Sequence, residues 1–327
     1  LAARRFDPAD LMTAGTQTPI EGAPGRSGTL LGRLGFSGRT AVIALPYFWL
    51  LLFFLVPFVF VLKIAFAEPR LAMPPYTALL VWADGIWPTV QTTWRNFLFL
   101  FDDNLYAVAY LNSVKVAAVS TVICLLLGYP MAYGIARAGT AWRTGLLMLI
   151  ILPFWTSFLI RVYAWIGILK QNGLINNALM AMGLIDEPLP LIHNDFSLYV
   201  GIVYSYLPFM ILPLYANLTK LDRALLEAAA DLGARPFKAF LTVTLPLSVP
   251  GIVAGSMLVF IPAVGEFVIP ALLAGPDNLM IGRVLWDEFF SNRDWPVASA
   301  VAIALLILLV VPIAIFQRYQ AREADAS

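Results

Sequence analysis

The sequence predicts an all-α integral membrane protein with six transmembrane helices, and three observations carry that prediction. The chain is 60% hydrophobic and only 13% charged, against roughly 45–50% apolar and about 25% charged residues in soluble domains. Six apolar stretches reach the length of about 20 residues that a helix needs to cross hydrocarbon. None of them shows the alternating pattern of a barrel strand, and only helices and closed barrels satisfy their backbone within lipid.

Taken in order, the stretches are Ala41–Leu62, Val116–Ala136, Thr144–Leu169, Phe196–Thr219, Leu247–Pro276 and Trp295–Phe316. The first is too long and too aromatic for a cleaved signal peptide, so it is expected to stay as a span. Residues 1–40, rich in Gly, Pro, Thr and Ser, read as a disordered cytoplasmic tail. The transmembrane domain is then 41–318, and 319–327 is a second cytoplasmic tail. Lys and Arg residues, among them Arg137, Arg143, Lys220, Arg235 and Lys238, gather on the side of the N-terminus, which places both termini in the cytoplasm. A net charge of +1 gives no footprint for a nucleic-acid partner, and the single Cys124 excludes an internal disulfide. His193 has no second His or Cys beside it and is no metal site.

The long cytoplasmic loop, about 220–246, has its own architecture. Asp222 is placed to cap a short helix in which Leu225, Leu226, Ala229 and Leu232 follow a helical period. Gly233 suits a left-handed helix end, and Pro236 suits the first turn of a second helix ending near Pro246. The result is a helix–turn–helix knob whose small residues Ala228, Ala229 and Ala230 flank one acid, Glu227. Small side chains let such a helix lie in a groove of another protein while the charge fixes its register.

The order Glu227-Ala228-Ala229, three residues, Gly233, nine residues, Val243-Thr244-Leu245-Pro246 resembles the coupling signature of ATP-binding-cassette importer permeases. It departs from that pattern only in having Val243 where the family has isoleucine. The resemblance runs from about Ala41 to Phe316 and is closest to spermidine/putrescine permeases, particularly the putrescine type. It is carried there by Leu152–Trp165, Pro262–Pro270 and Ile281–Phe290. It implies a type I importer permease fold in the bacterial inner membrane, with Glu227, Ala228, Ala229 and Gly233 as the ATPase-coupling residues. It also implies the partners: a second, related permease forming a heterodimer, two ATP-binding subunits that hold ATP and Mg, and an extracytoplasmic substrate-binding protein. The chain itself would carry no cofactor and no catalytic residue.

Charges within spans mark candidate pathways. Glu266 lies between Pro262 and Pro270, which are expected to kink or unwind that helix around the acid. It either lines a route for a cationic substrate or pairs with Arg161, and both readings stay open. On the third span Ser157, Arg161 and Trp165 share a face. Trp155, Tyr163 and Trp165 offer aromatic surfaces to a cation or form interface belts. The segment Ile281–Phe290 reads as an amphipathic helix lying flat at the outer interface. No phosphate-binding Gly-rich loop ending in Lys-Ser or Lys-Thr occurs, so ATP hydrolysis belongs to another subunit. A secondary carrier would show coupling acids in several helices and an inverted repeat, whereas one mid-span acid and no repeat are found. An ATP-binding-cassette permease for a different substrate is the remaining alternative.

Overall fold

The computed structural model describes residues 38–78, 80–81, 89–90 and 92–326. The tail read as disordered lies outside the described residues, except that Gly38 to Thr40 already begin a helix. Residues up to Pro57 and residues from Phe58 onward form separate units. In the first unit lies most of α1 (Val42–Ala65), an apolar stretch of 24 residues whose side chains as far as Pro57 are exposed.

The second unit holds the rest of the protein. Its helices are α2 (Arg95–Asp102), α3 (Asn104–Arg137), α4 (Thr140–Ile151), α5 (Phe158–Leu169), α6 (Leu174–Ala181) and α7 (Asp195–Leu218). They continue with α8 (Arg223–Asp231), α9 (Pro236–Leu247, with a π-turn at Phe240–Thr244), α10 (Val249–Val264), α11 (Val268–Leu273), α12 (Ile281–Trp286) and α13 (Trp295–Ala326). A two-residue antiparallel ladder pairs β1 (Leu80–Val81) with β2 (Thr89–Val90). By length and composition α1, α3 and α7 can each cross a membrane alone. The count reaches five if each of two bent helix pairs is one span. α13 opens with a shorter apolar stretch, Trp295–Val310.

Helix starts follow local chemistry. Asp103 accepts from the Leu105 N–H at 2.9 Å to open α3. Asn194 and Ser197 form a reciprocal capping box at the start of α7, with bonds of 3.0 and 3.2 Å. Such caps satisfy backbone N–H groups that the helix itself leaves free.

Two expected spans are broken. Thr144–Leu169 is not one helix: after α4 comes a tight turn, Leu152–Trp155, and α5 then departs at 93°. Pro153 supplies no N–H, and Thr156 and Ser157 adopt extended backbone, so the chain turns here. Leu247–Pro276 is likewise divided. α9 and α10 meet at 63° across Ser248, and α10 ends at Val264 before α11 resumes at Val268.

The centre is a three-helix contact among α3, α7 and α10, where Cys124, Met210, Ile211, Leu214 and Val259 are buried. Lipid is as apolar as these side chains, so close packing rather than water exclusion holds them together. Gly255 makes that packing possible: a Cβ there would lie 2.8 Å from Met210 Sδ and 3.0 Å from the Met210 carbonyl oxygen. The Tyr129 and Ser248 hydroxyls, 2.9 Å apart, tie α3 to the α9–α10 corner. A second cluster joins Val116, Val162, Leu198, Ile202, Val264 and Ile269. A third joins Tyr106, Ala109, Ile281, Val284, Val297 and Val301. One face of Ile281–Phe290 packs in the last cluster, with Ile281, Gly282 and Val284 buried, while Trp286 and Phe290 are exposed. The Ile281 N–H donates to Ser113 Oγ on α3 at 2.8 Å, which anchors α12 within the protein.

Candidate functional site

Two places carry the candidate residues: the knob formed by α8 and α9, and the break between α10 and α11. In the knob, Asp222 Oδ1 accepts from the Ala224 N–H at 3.0 Å and starts α8. Gly233 has φ of +78°, the left-handed conformation that favours glycine. The Gly233 and Ala234 N–H groups donate to Ala230 and Ala229 carbonyls at 2.8 and 2.9 Å and close the helix. Pro236 then occupies the first turn of α9. Glu227 and Ala228 are exposed and Ala229 is half-buried, so the acid and the small residues are presented outward.

The expected short helix is present as α8, with Leu232 as its C-cap. Leu226 and Ala229 are partly covered, but Leu225 and Leu232 are exposed, Leu232 by 89%. Phe237, exposed by 74%, stands on the far side of the turn from Leu232. A sequence reading centred on Glu227 overlooks this pair. Its signal is two large apolar residues flanking a glycine turn, the composition of a surface that another protein covers.

In the interior, Glu266 is 8% exposed and lies at the start of α11. Its Oε1 accepts from the N–H groups of Phe267, Val268 and Ile269 at 3.2, 3.0 and 3.4 Å. Its Oε2 accepts from the Tyr206 hydroxyl on α7. The expected unwinding is present, and the acid itself caps the helix that restarts. Gly282 of α12 abuts the same break: a Cβ there would lie 2.6 Å from the Glu266 carbonyl oxygen and collide with that of Gly265.

The proposed pairing of Glu266 with Arg161 is not made. The Arg161 guanidinium carbon lies 5.0 Å from the Phe154 ring centre and 5.7 Å from that of Phe158. Its Nε and Nη1 are buried without a hydrogen-bond partner. Nearby backbone N–H groups and a tyrosine captured the carboxyl group that charge counting gave to the arginine. Acid and base are instead connected through rings, Tyr206 to Phe209 at 6.1 Å and Phe209 to Phe154 at 5.2 Å.

The other candidates separate. Trp155 is 75% and Tyr163 57% exposed, and neither packs in the cluster around Val264 and Ile269. Trp165 does pack there, with its ring edge-to-face on Tyr204 at 5.3 Å. A stack of Phe267, Trp286 and Phe290, with centres 4.2 and 4.1 Å apart, flanks Glu266 and was not anticipated. The Trp286–Phe290 contact has the i, i+4 spacing of a helix, but Tyr206 and Phe267 have no local signal, since their contacts to Glu266 and Trp286 join residues distant in sequence.

Apolar helices long enough to cross a bilayer, together with an exposed helix–turn–helix, define a polytopic membrane protein. Residues 124–325 match the family described as binding-protein-dependent transport system inner membrane component. The chain belongs to that family. It is 39% identical over 277 residues to the Haemophilus influenzae spermidine/putrescine transport system permease protein PotB, covering 84% of this chain and 92% of the relative. The Escherichia coli K12 protein of the same name is 39% identical over 242 residues, covering 74% and 88%. Among solved structures, a bacterial alginate ABC transporter, in complex with an alginate pentasaccharide-bound periplasmic protein, contains a chain with the same fold. The TM-score is 0.64 at 17% identity, covering 90% of this chain and 98% of that one.

Proposed function

We propose that this chain is a membrane-spanning permease subunit of an ATP-driven polyamine importer of the bacterial inner membrane, taking putrescine or spermidine. The observation that carries the reading is the α8–α9 knob, in which the Glu-Ala-Ala…Gly signature forms an exposed, capped helix–turn–helix. The polyamine class comes from the relatives named above. In this reading the chain crosses the membrane six times within residues 41–318 and keeps both termini in the cytoplasm. It pairs with a different permease and docks its knob, through Glu227, Ala228, Ala229 and Gly233, on one of two ATPase subunits that hold ATP and Mg. An extracytoplasmic binding protein delivers the substrate. Along the route the amine passes Glu266 and the partly buried Trp165, where a carboxyl group and an aromatic face both favour a cation. Arg161 stays back against Phe154, and Trp155 and Tyr163 face the outer surface of the subunit.

The test is ATP hydrolysis by the reconstituted four-component complex, stimulated by amine-loaded binding protein. Glu227→Arg is expected to abolish stimulation while leaving the chain folded. Full stimulation in that variant removes the coupling assignment. Stimulation by another solute class and by no amine selects the permease for a different substrate, and uptake driven by an ion gradient without ATP selects the secondary carrier.

A further inference from the structure

After α1 the chain forms a hairpin tongue, 66–77, braced to hold one shape. Pro69 and Tyr76 make an antiparallel bridge. Beside it the Thr77 N–H donates to the Glu68 carbonyl at 3.0 Å, and Thr77 Oγ1 accepts from the Glu68 N–H at 3.0 Å. Buried Asn96 on α2 clamps the base, its Nδ2 donating to the Ala65 and Ala67 carbonyls at 2.8 and 2.7 Å. Tyr76 also heads a run of neighbouring rings, through Trp295, Phe289, Phe290 and Trp286 to Phe267 beside Glu266, with centres 4.1–6.1 Å apart. The tip is the opposite of the base: Leu71 is fully exposed and Met73 86% exposed. Large apolar side chains held out in water on a braced backbone form a contact surface with little freedom left to lose on binding. Two clefts flank the tongue, of about 210 and 290 Å³. Their walls carry three exposed arginines, Arg70, Arg95 and Arg293, and two acids, of which only Glu68 is exposed.

We propose that the tongue is the docking element for the extracytoplasmic binding protein, with Leu71 and Met73 as apolar anchors inside a basic rim of Arg70, Arg95 and Arg293. The partner and the outer face are taken from the function proposed above. The tongue stands away from the knob: α3 runs about 51 Å at 1.5 Å per residue, from Asn104 next to α2 to Arg137, which lines the cleft with Glu227. An ATPase seated on the knob therefore leaves the tongue free. Charge selects the partner. A protein that carries a polycation holds it with carboxylates, so the mouth of its binding cleft is acidic, and a rim of guanidinium groups attracts and orients such a surface. The run of rings joins the tongue to the break that holds Glu266, so a carrier seated here is connected by packing to the proposed route.

The experiment uses the assembled complex in lipid nanodiscs and follows binding of the putrescine-loaded binding protein of the same transport system by biolayer interferometry, without ATP. Leu71→Ser and Met73→Ser are each expected to weaken binding about tenfold, the loss at a residue that anchors an interface. Arg70→Glu should slow association and flatten its dependence on salt. Leu184→Ser, at a 66% exposed leucine on a different loop, should bind like the native complex. All four side chains are exposed, so the variants should melt with the native complex. In a second arm, Met73→Cys carries an environment-sensitive fluorophore, whose emission should shift only when the binding protein is added. Emission already shifted in the nanodisc alone would place the tip in lipid and overturn the proposal. Binding by the tongue variants equal to native, or an equal loss in Leu184→Ser, overturns the proposal and leaves the proposed function standing. A native complex that binds no amine-loaded binding protein refutes that function itself, and the docking role with it.

Discussion

The hydrogen bond from Tyr206 to Glu266 allows a direct measure of what holds the α10–α11 break. Glu266 is nearly buried and accepts from three backbone N–H groups in addition to the tyrosine. Tyr206→Phe removes one donor to a carboxyl group and is expected to cost about 1.5–3 kcal/mol. Glu266→Gln keeps an acceptor for the N–H groups and turns an amide toward the tyrosine oxygen, at about 0.5–1.5 kcal/mol. Glu266→Leu uncaps α11, at about 1 kcal/mol, and strands the tyrosine hydroxyl at a further cost of about 1–3 kcal/mol. In the Glu266→Leu background Tyr206→Phe should recover about 1–3 kcal/mol, because it removes the stranded hydroxyl. The assay is unfolding in mixed micelles by sodium dodecyl sulfate, followed by circular dichroism across the four proteins of the cycle. Additivity of Tyr206→Phe and Glu266→Leu within about 0.5 kcal/mol, the behaviour of independent sites, would refute the bond between Tyr206 and Glu266.

Three further outcomes are expected. Gly282→Ala presses a methyl group into the Gly265 and Glu266 carbonyls; rigid backbone cannot yield cheaply, so a loss of about 1–3 kcal/mol or more is expected in the same unfolding assay. Gly233→Ala meets no atom within 4 Å but must hold φ of +78°, so about 1 kcal/mol is lost locally, seen as faster amide exchange in α8 with the global transition unmoved. Asp294, before α13, has its carboxyl held above the ordinary carboxylate range, chiefly by burial, with Glu288 adding to the rise and the Val297 N–H opposing it. The folded state therefore holds that proton more tightly than the unfolded chain, and stability falls as pH rises from the ordinary carboxylate range through the raised value. Asp294→Asn should flatten that part of the pH–stability curve, and an unchanged slope would show that another group sets it.

What the sequence made legible is what depends on neighbours along the chain. Hydropathy located the apolar segments because burial in lipid is a property of each stretch, and the Asp222 cap and Gly233 turn could be read because both are local backbone chemistry. The breaks could not be read from proline alone. Pro208 and Pro213 sit inside the continuous α7, whereas Pro153 stands at a 93° turn. Glu266 was found, but its partner was not, since counting mid-span charges leaves out backbone N–H groups that an unwound helix exposes. Exposure could not be read from the period: Leu232, the C-cap of α8, keeps the helical spacing and is 89% exposed.

The corner at Ser248 has a mechanical meaning. α9 is about 18 Å long and α10 about 24 Å at 1.5 Å per residue, and the two arms meet at 63° on a residue pinned to α3 by Tyr129. Gly255 seats the longer arm against α7 too closely for it to bend independently. A rotation of about 5° about the corner corresponds to about 1.6 Å at the tip of the shorter arm and about 2 Å at the far end of the longer one. That far end is Val264, one glycine away from Glu266, so the corner stands between the knob and the acid along the chain.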